Sequence, residues 1–267
     1  RTVDRLSGPT SSSSILQRIV FIAFLVGTLG SLVQSISQQT DAAMALPLGI
    51  AVAFLVYIVT FIDLTLGLAI LIACVGLSPE MQVGGLLNLR LEDFVAPAVL
   101  LTWCMKAYER RAALAPALVT GPLIFYGVIT LVSTFIGIVS ETTLTRVALL
   151  FLGKFAEYFM IFFLFLNTVR TRQEFRALTV FALMVAVAAS VQSTGSYAID
   201  NPIATGPRLS GPLGETANIF GGYLVLHLGI AAGLFIQARS AGPRMGAAAV
   251  LILLGLPLLF TYSRTSF

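Results

Sequence analysis

The chain is 267 residues long, 57% hydrophobic and only 10% charged, with a net charge of +4. A soluble domain carries roughly 25% charged residues, so these side chains cannot cover a water-facing surface, and a soluble globular protein is excluded. What remains is an all-α, polytopic transmembrane helix bundle, with lipid in place of water around its outer face.

Residues 1–14 are polar, with Gly8, Pro9 and a run of serines, and read as a cytosolic lead-in. Residues 15–267 read as one transmembrane helical domain. Apolar runs recur at about 15–36, 44–62, 64–78, 93–107, 118–139, 147–168, 174–193, 217–238 and 245–262. Most approach the roughly 20 residues needed to span a bilayer, which predicts about nine spanning helices. The second and third meet at a tight turn on Asp63 and also read as one kinked element. Gly221, Gly222, Gly229 and Gly233 are expected to help helices pack closely.

The basic residues orient the bundle. With Arg1, Arg5 and Arg18 inside, the inner loops hold Lys106, Arg110, Arg111, Arg170, Arg172, Arg176, Arg239 and Arg244. The outer side then holds Arg90, Arg146, Arg208 and Arg264, with Lys154 inside a span. This asymmetry obeys the positive-inside rule. Scattered in this way, the basic residues orient the protein and point to no nucleic-acid partner. Cys74 and Cys104 both sit in apolar runs and are expected to be buried small hydrophobes. One His and two separated Cys form no zinc set, so no metal and no cofactor is expected.

Lys154 and Glu157 lie three apart within the sixth run, on one helix face. Ionised groups in hydrocarbon are costly and turn inward. They read either as an ion pair that neutralises itself or as Lys154 binding an anion that Glu157 positions. The stretch from Gly206 to Asn218 is the longest outer segment and is rich in Gly and Pro, which makes it a structured turn region. It reads as an ordinary capped loop, or as an anion site built from Arg208, Asn218 and the free N–H groups at the next helix start. Arg264 reads as a snorkelling anchor at an outer helix end. His227, well inside the eighth run, reads as a polar packing contact. Arg90-Leu-Glu92-Asp93 puts acids at a helix start, where the dipole favours them. The chain begins on Arg1 and stops just after Ser263-Arg264 with its membrane architecture unfinished, which reads as the front part of a larger protein.

Together these segments resemble the O-antigen ligase and O-antigen polymerase superfamily of bacterial envelope enzymes. Arg90-Leu-Glu-Asp-Phe94 looks like that family's Arg-x-x-Asp helix entry, and Lys154-Phe-Ala-Glu157 like its mid-chain Lys and Glu. Arg208 through Asn218, then Tyr223-Leu224, looks like its Arg, Gly-rich turn and Asn. Phe260-Thr-Tyr-Ser263-Arg264 looks like its Ser-Arg helix end. The resemblance implies a multi-pass enzyme of the bacterial inner membrane with a periplasmic active face. It implies transfer of an undecaprenyl-diphosphate-linked glycan to a lipid A core or to another glycan. It implies membrane lipids as partners, and Arg208, Arg264, Asn218, Lys154 and Glu157 as substrate-binding residues. The family's catalytic His has no counterpart up to Phe267 and is expected beyond it. Two other readings stand beside this one. A transporter or flippase would show broken helices or internal repeats around a midplane site. A non-catalytic membrane subunit would need neither.

Overall fold

In a computed structural model, the structure describes residues 45–77, 81–83, 87–110, 120–142, 144–200, 208–211 and 216–261. These form eight helices and one small hairpin. In chain order they are α1 (Ala45–Ile62), α2 (Leu64–Leu77), β1 (Met81–Val83), β2 (Leu87–Leu89), α3 (Glu92–Arg110), α4 (Thr120–Val139), α5 (Thr145–Thr168), α6 (Arg172–Asp200), α7 (Ala217–Gln237) and α8 (Ala241–Thr261). The predicted helix at 15–36 and the lead-in at 1–14 lie outside the described residues.

The expected nine spans are corrected. Among the described residues, five helices, α4 to α8, are long and apolar enough to cross a membrane. At 14 residues, α2 extends about 21 Å at the helical rise, short of a hydrocarbon core of about 30 Å. α3 carries Glu92 and Asp93 in its first turn and ends on Glu109 and Arg110, so its apolar stretch is brief. The all-helical expectation also yields at one place. β1 and β2 pair antiparallel, with Gln82 opposite Asn88, and fill the connection between the short α2 and the start of α3.

α1 and α2 are two helices broken at Asp63. The Asp63 carboxylate accepts a hydrogen bond from the Thr65 N–H at 2.9 Å, the capping contact that starts a new helix. The corner is tight because Gly67 faces Thr60. A Cβ at Gly67 would lie 2.5 Å from Thr60 Cγ2.

The centre of the bundle is α2, with Leu68, Ala69, Leu71 and Cys74 buried. Around it Val56 of α1, Val95 and Val99 of α3, Leu164 of α5 and Phe181 of α6 complete one core. A second core joins α6, α7 and α8 through Ala186, Leu224 and Leu254. α4 has no buried residue and rests on α5 through Tyr126 and Phe155, whose rings meet edge-on at 5.2 Å. Its other faces, with Phe125 and Phe135 exposed, suit lipid. Hydroxyls inside apolar helices bond back one turn, as Thr60 does to Val56 and Thr102 to Ala98, so few polar groups face hydrocarbon unpaired.

Of the glycines expected to pack, Gly221 is buried in α7, while the other three make no close contact. A Cβ at Gly222, Gly229 or Gly233 would meet nothing within 4 Å. The close approach is at Gly76 of α2, where a Cβ would lie 2.5 Å from Val185 of α6 and 2.7 Å from the Tyr223 hydroxyl of α7. Cys74 is buried as expected, but Cys104 is exposed, on the outer face of α3 beside exposed Leu101 and Met105.

Candidate functional site

Two groups of side chains carry chemistry. The first is ionic and ties α3 to α5. α3 starts at Glu92 because the Asp93 carboxylate reaches back to the Arg90 N–H, Oδ2 accepting at 2.6 Å. The other oxygen of that carboxylate, Oδ1, accepts from Lys154 of α5. Lys154 also donates to Glu157 Oε2 at 3.0 Å. Arg90 pairs with Glu92, Nε to Oε1, at 3.2 Å.

Glu92 and Glu157 are both buried. Glu92 Oε2 and Glu157 Oε1 have no hydrogen-bond partner among the described residues. Among the described residues the cluster therefore sets three carboxylates against two cations. It has unspent acceptor capacity, which an anion cannot use and a proton or a cation can. Lys154 sits between two carboxylates, and its ammonium already serves two acids. This geometry is that of the self-neutralising reading, enlarged by Asp93.

Asp93 is the residue that sequence reasoning missed as a partner. The signal was present. An acid at the mouth of an apolar run needs a cation, and Lys154 is a Lys inside a spanning run.

The second group gathers where α6 ends, α7 begins and α8 ends. The 208–211 segment runs across this end of the bundle as an anchored strap. Leu209 is fully buried in the second core. Its N–H donates to the Phe260 carbonyl near the end of α8 at 3.0 Å. Ser193 of α6 donates its hydroxyl to the Ser210 carbonyl. Tyr197 of α6 lies against Phe260 with ring centroids 6.1 Å apart. With Leu209 held inward, Arg208 is exposed. Asn218, in the first turn of α7, is exposed as well. Thr216 caps α7 in extended conformation and its side chain makes no capping hydrogen bond. Arg264 lies outside the described residues. It follows α8, whose last residue, Thr261, is buried.

The two groups stand apart in chain placement. Lys154 and Glu157 join α3 and α5, while Arg208 and Asn218 belong to the α6–α7–α8 end. His227 is buried in α7. Its Nδ1 is 2.8 Å from the Tyr223 carbonyl, and its ring lies 4.2 Å from that of Tyr223, the packing contact expected of it. Among the described residues no group of His, Cys, Asp and Glu is arranged to hold a metal ion.

Compared with family models, curated proteins and solved structures, the chain matches none. Its functional reading therefore rests on the resemblance of its motifs, together with its own residues and geometry.

Proposed function

We propose that the chain is the membrane part of a glycan transferase. In this reading it moves an undecaprenyl-diphosphate-linked oligo- or polysaccharide to a lipid A core or another glycan at the periplasmic face of the bacterial inner membrane. The observation that carries the reading is the Leu209–Phe260 backbone bond. It ties the strap bearing exposed Arg208 to the last turn of α8, whose final residue, Thr261, Arg264 follows by three residues. Two arginines on adjoining segments would repel unless an anion lay between them, and a diphosphate is such an anion. As a leaving group it departs with growing charge, which fixed guanidinium groups stabilise without a metal. Asn218, exposed in the first turn of α7, would add a neutral donor on the same end. The isoprenoid tail would lie against the apolar side chains that the helices expose to lipid.

The test is glycan transfer in membranes containing the full-length protein at matched expression. Arg208→Ala and Arg264→Ala should each lower transfer about a hundredfold, the usual cost of one lost transition-state contact. Near-normal transfer by both variants would sink the diphosphate role.

A second reading draws on the Lys154 cluster. Ionisable groups inside a bundle with unspent acceptor capacity are what an ion-coupled transporter of lipid-linked glycan would keep. Transport assays on Asp93→Asn and Glu157→Gln at matched expression test this second reading, which requires coupled transport to be lost in both.

A further inference from the structure

A cavity of about 840 Å³ opens between α6, α7 and α8, at the opposite end of α6 from Arg208. Its mouth is polar. Arg176 from the second turn of α6, with Gln237 at the end of α7 and Arg239 just after it, lines it. Its walls are apolar down to Val187 of α6 and Leu253 of α8.

The depth has a natural scale. From Arg176 to Val187 is eleven residues of α6, about 16 Å along the helix at 1.5 Å per residue. That is half of a hydrocarbon core of about 30 Å. α6, α7 and α8 are each long and apolar enough to span. The slot therefore starts at one membrane surface and ends near the midplane, the reach of one lipid leaflet.

Small residues make room for it. Gly246 of α8 lines the slot, and a Cβ there would meet nothing within 4 Å.

The mouth is cationic and uncompensated. Arg176 and Arg239 are exposed and form no ion pair among the described residues. The nearest acid in sequence, Glu174, is spent on the start of α6, where its carboxylate accepts from the N–H groups of Arg170 and Thr171 at 3.0 and 3.1 Å. Arg244 is turned aside onto the Phe235 ring at 4.8 Å. Two guanidinium forks over a leaflet-deep apolar slot match a phosphate headgroup with its hydrocarbon chain below.

We propose that this slot holds one anionic phospholipid of the adjoining leaflet, with its phosphate between Arg176 and Arg239 and one acyl chain along Gly246. The site is independent of the glycan-transfer reading, since it needs only that α6 to α8 span a membrane.

The full chain is reconstituted in vesicles of equal parts phosphatidylglycerol and phosphatidylcholine, extracted in mild detergent and weighed by native mass spectrometry. The wild type should retain one phosphatidylglycerol in preference to phosphatidylcholine. Arg176→Ala combined with Arg239→Ala should lower that preference about tenfold or more, since each basic side chain at a membrane surface contributes comparably. Gly246→Leu should fill the slot and abolish retention of either lipid while leaving the melting temperature of the protein near wild type. Arg146→Ala, at the start of α5, is the control and should change nothing. Equal retention of both lipids by the wild type would overturn the proposal, as would the same loss in the Arg146 variant or full retention in Gly246→Leu. Millimolar glycerol phosphate should leave the bound lipid in place. Its displacement of the lipid would make the mouth a simple anion site and overturn the lipid assignment.

Discussion

Lys154 of α5 donates to the carboxylate of Asp93, 61 positions earlier in the chain, and this single contact turns a local pair into a link between helices. The Lys154–Glu157 pair lies on one face of α5. Asp93 arrives from the start of α3, where its second oxygen holds the Arg90 N–H. One carboxylate thus sets a helix start and a helix–helix junction together.

The consequence for mutation is a definite order of damage. Lys154→Met leaves three carboxylates with Arg90 as the one remaining cation of the cluster among the described residues, and should cost about 1–3 kcal/mol, less than a fully buried pair because the Lys154 side chain is partly exposed. Glu157→Leu leaves Lys154 still paired with Asp93, and two cations against two carboxylates, so its cost should be well below that. Thermal unfolding in detergent reads both. Glu157→Leu as harmful as Lys154→Met would show that Asp93 does not neutralise Lys154.

Gly76, like Gly67 at the Asp63 corner, should resist replacement. An added methyl there meets Val185 and Tyr223, and overpacking of this kind costs about 1–3 kcal/mol. Gly222→Ala, on an open face of α7, should be neutral within about 1 kcal/mol. Melting temperatures of the two variants check the contrast, and equal values would remove Gly76 from the α2–α6–α7 contact.

The two cysteines should separate by rate. Cys104 on the outer face of α3 should react with N-ethylmaleimide in detergent solution without unfolding. Cys74, buried in α2, should react only when the protein unfolds. Intact-protein mass spectrometry counts the adducts; two fast adducts would contradict the packing of α2 at the centre.

The two ends of α7 should lie on opposite sides of the membrane. Thr216 and Ser240 flank it and are exposed. In a cysteine-free background, Thr216→Cys should be labelled by an impermeant thiol reagent in intact spheroplasts and Ser240→Cys only after permeabilisation. Labelling of both from one side would mean that α7 does not cross.

Ser193 should matter to the Arg208 strap without touching substrate. Its hydroxyl holds the Ser210 carbonyl, a contact worth about 1 kcal/mol. On the proposed function, Ser193→Ala should therefore lower glycan transfer about fivefold, far less than Arg208→Ala. A loss as large as that of Arg208→Ala would give Ser193 a direct role.

The sequence by itself determined the solvent. With so few charged side chains, the outer face has to meet lipid, and backbone groups have to be satisfied within helices. It also placed most helix boundaries, because Asp63, the Gly206–Asn218 turn region and the basic loops interrupt the apolar runs where α1, α6, α7 and α8 end or begin. It identified Lys154 and Glu157 as an inward pair, since three-residue spacing is a local property of a helix. The tertiary structure decided what no spacing contains. An apolar run of about 15 residues reads as a span in sequence, yet α2 is a short helix enclosed by protein on all sides. A glycine in a membrane helix reads as a packing site, yet Gly222 faces open space and Gly76 meets two other helices. Asp93 reads as a favourable charge at a helix start, and only the packing of α3 on α5 makes it the partner of Lys154. The reason is common to all three. Hydrophobicity and helical period act along the chain and are visible in it, whereas burial, close approach and charge pairing depend on which helices become neighbours, and lipid is as apolar as a helix face and so leaves that choice to contacts between distant residues.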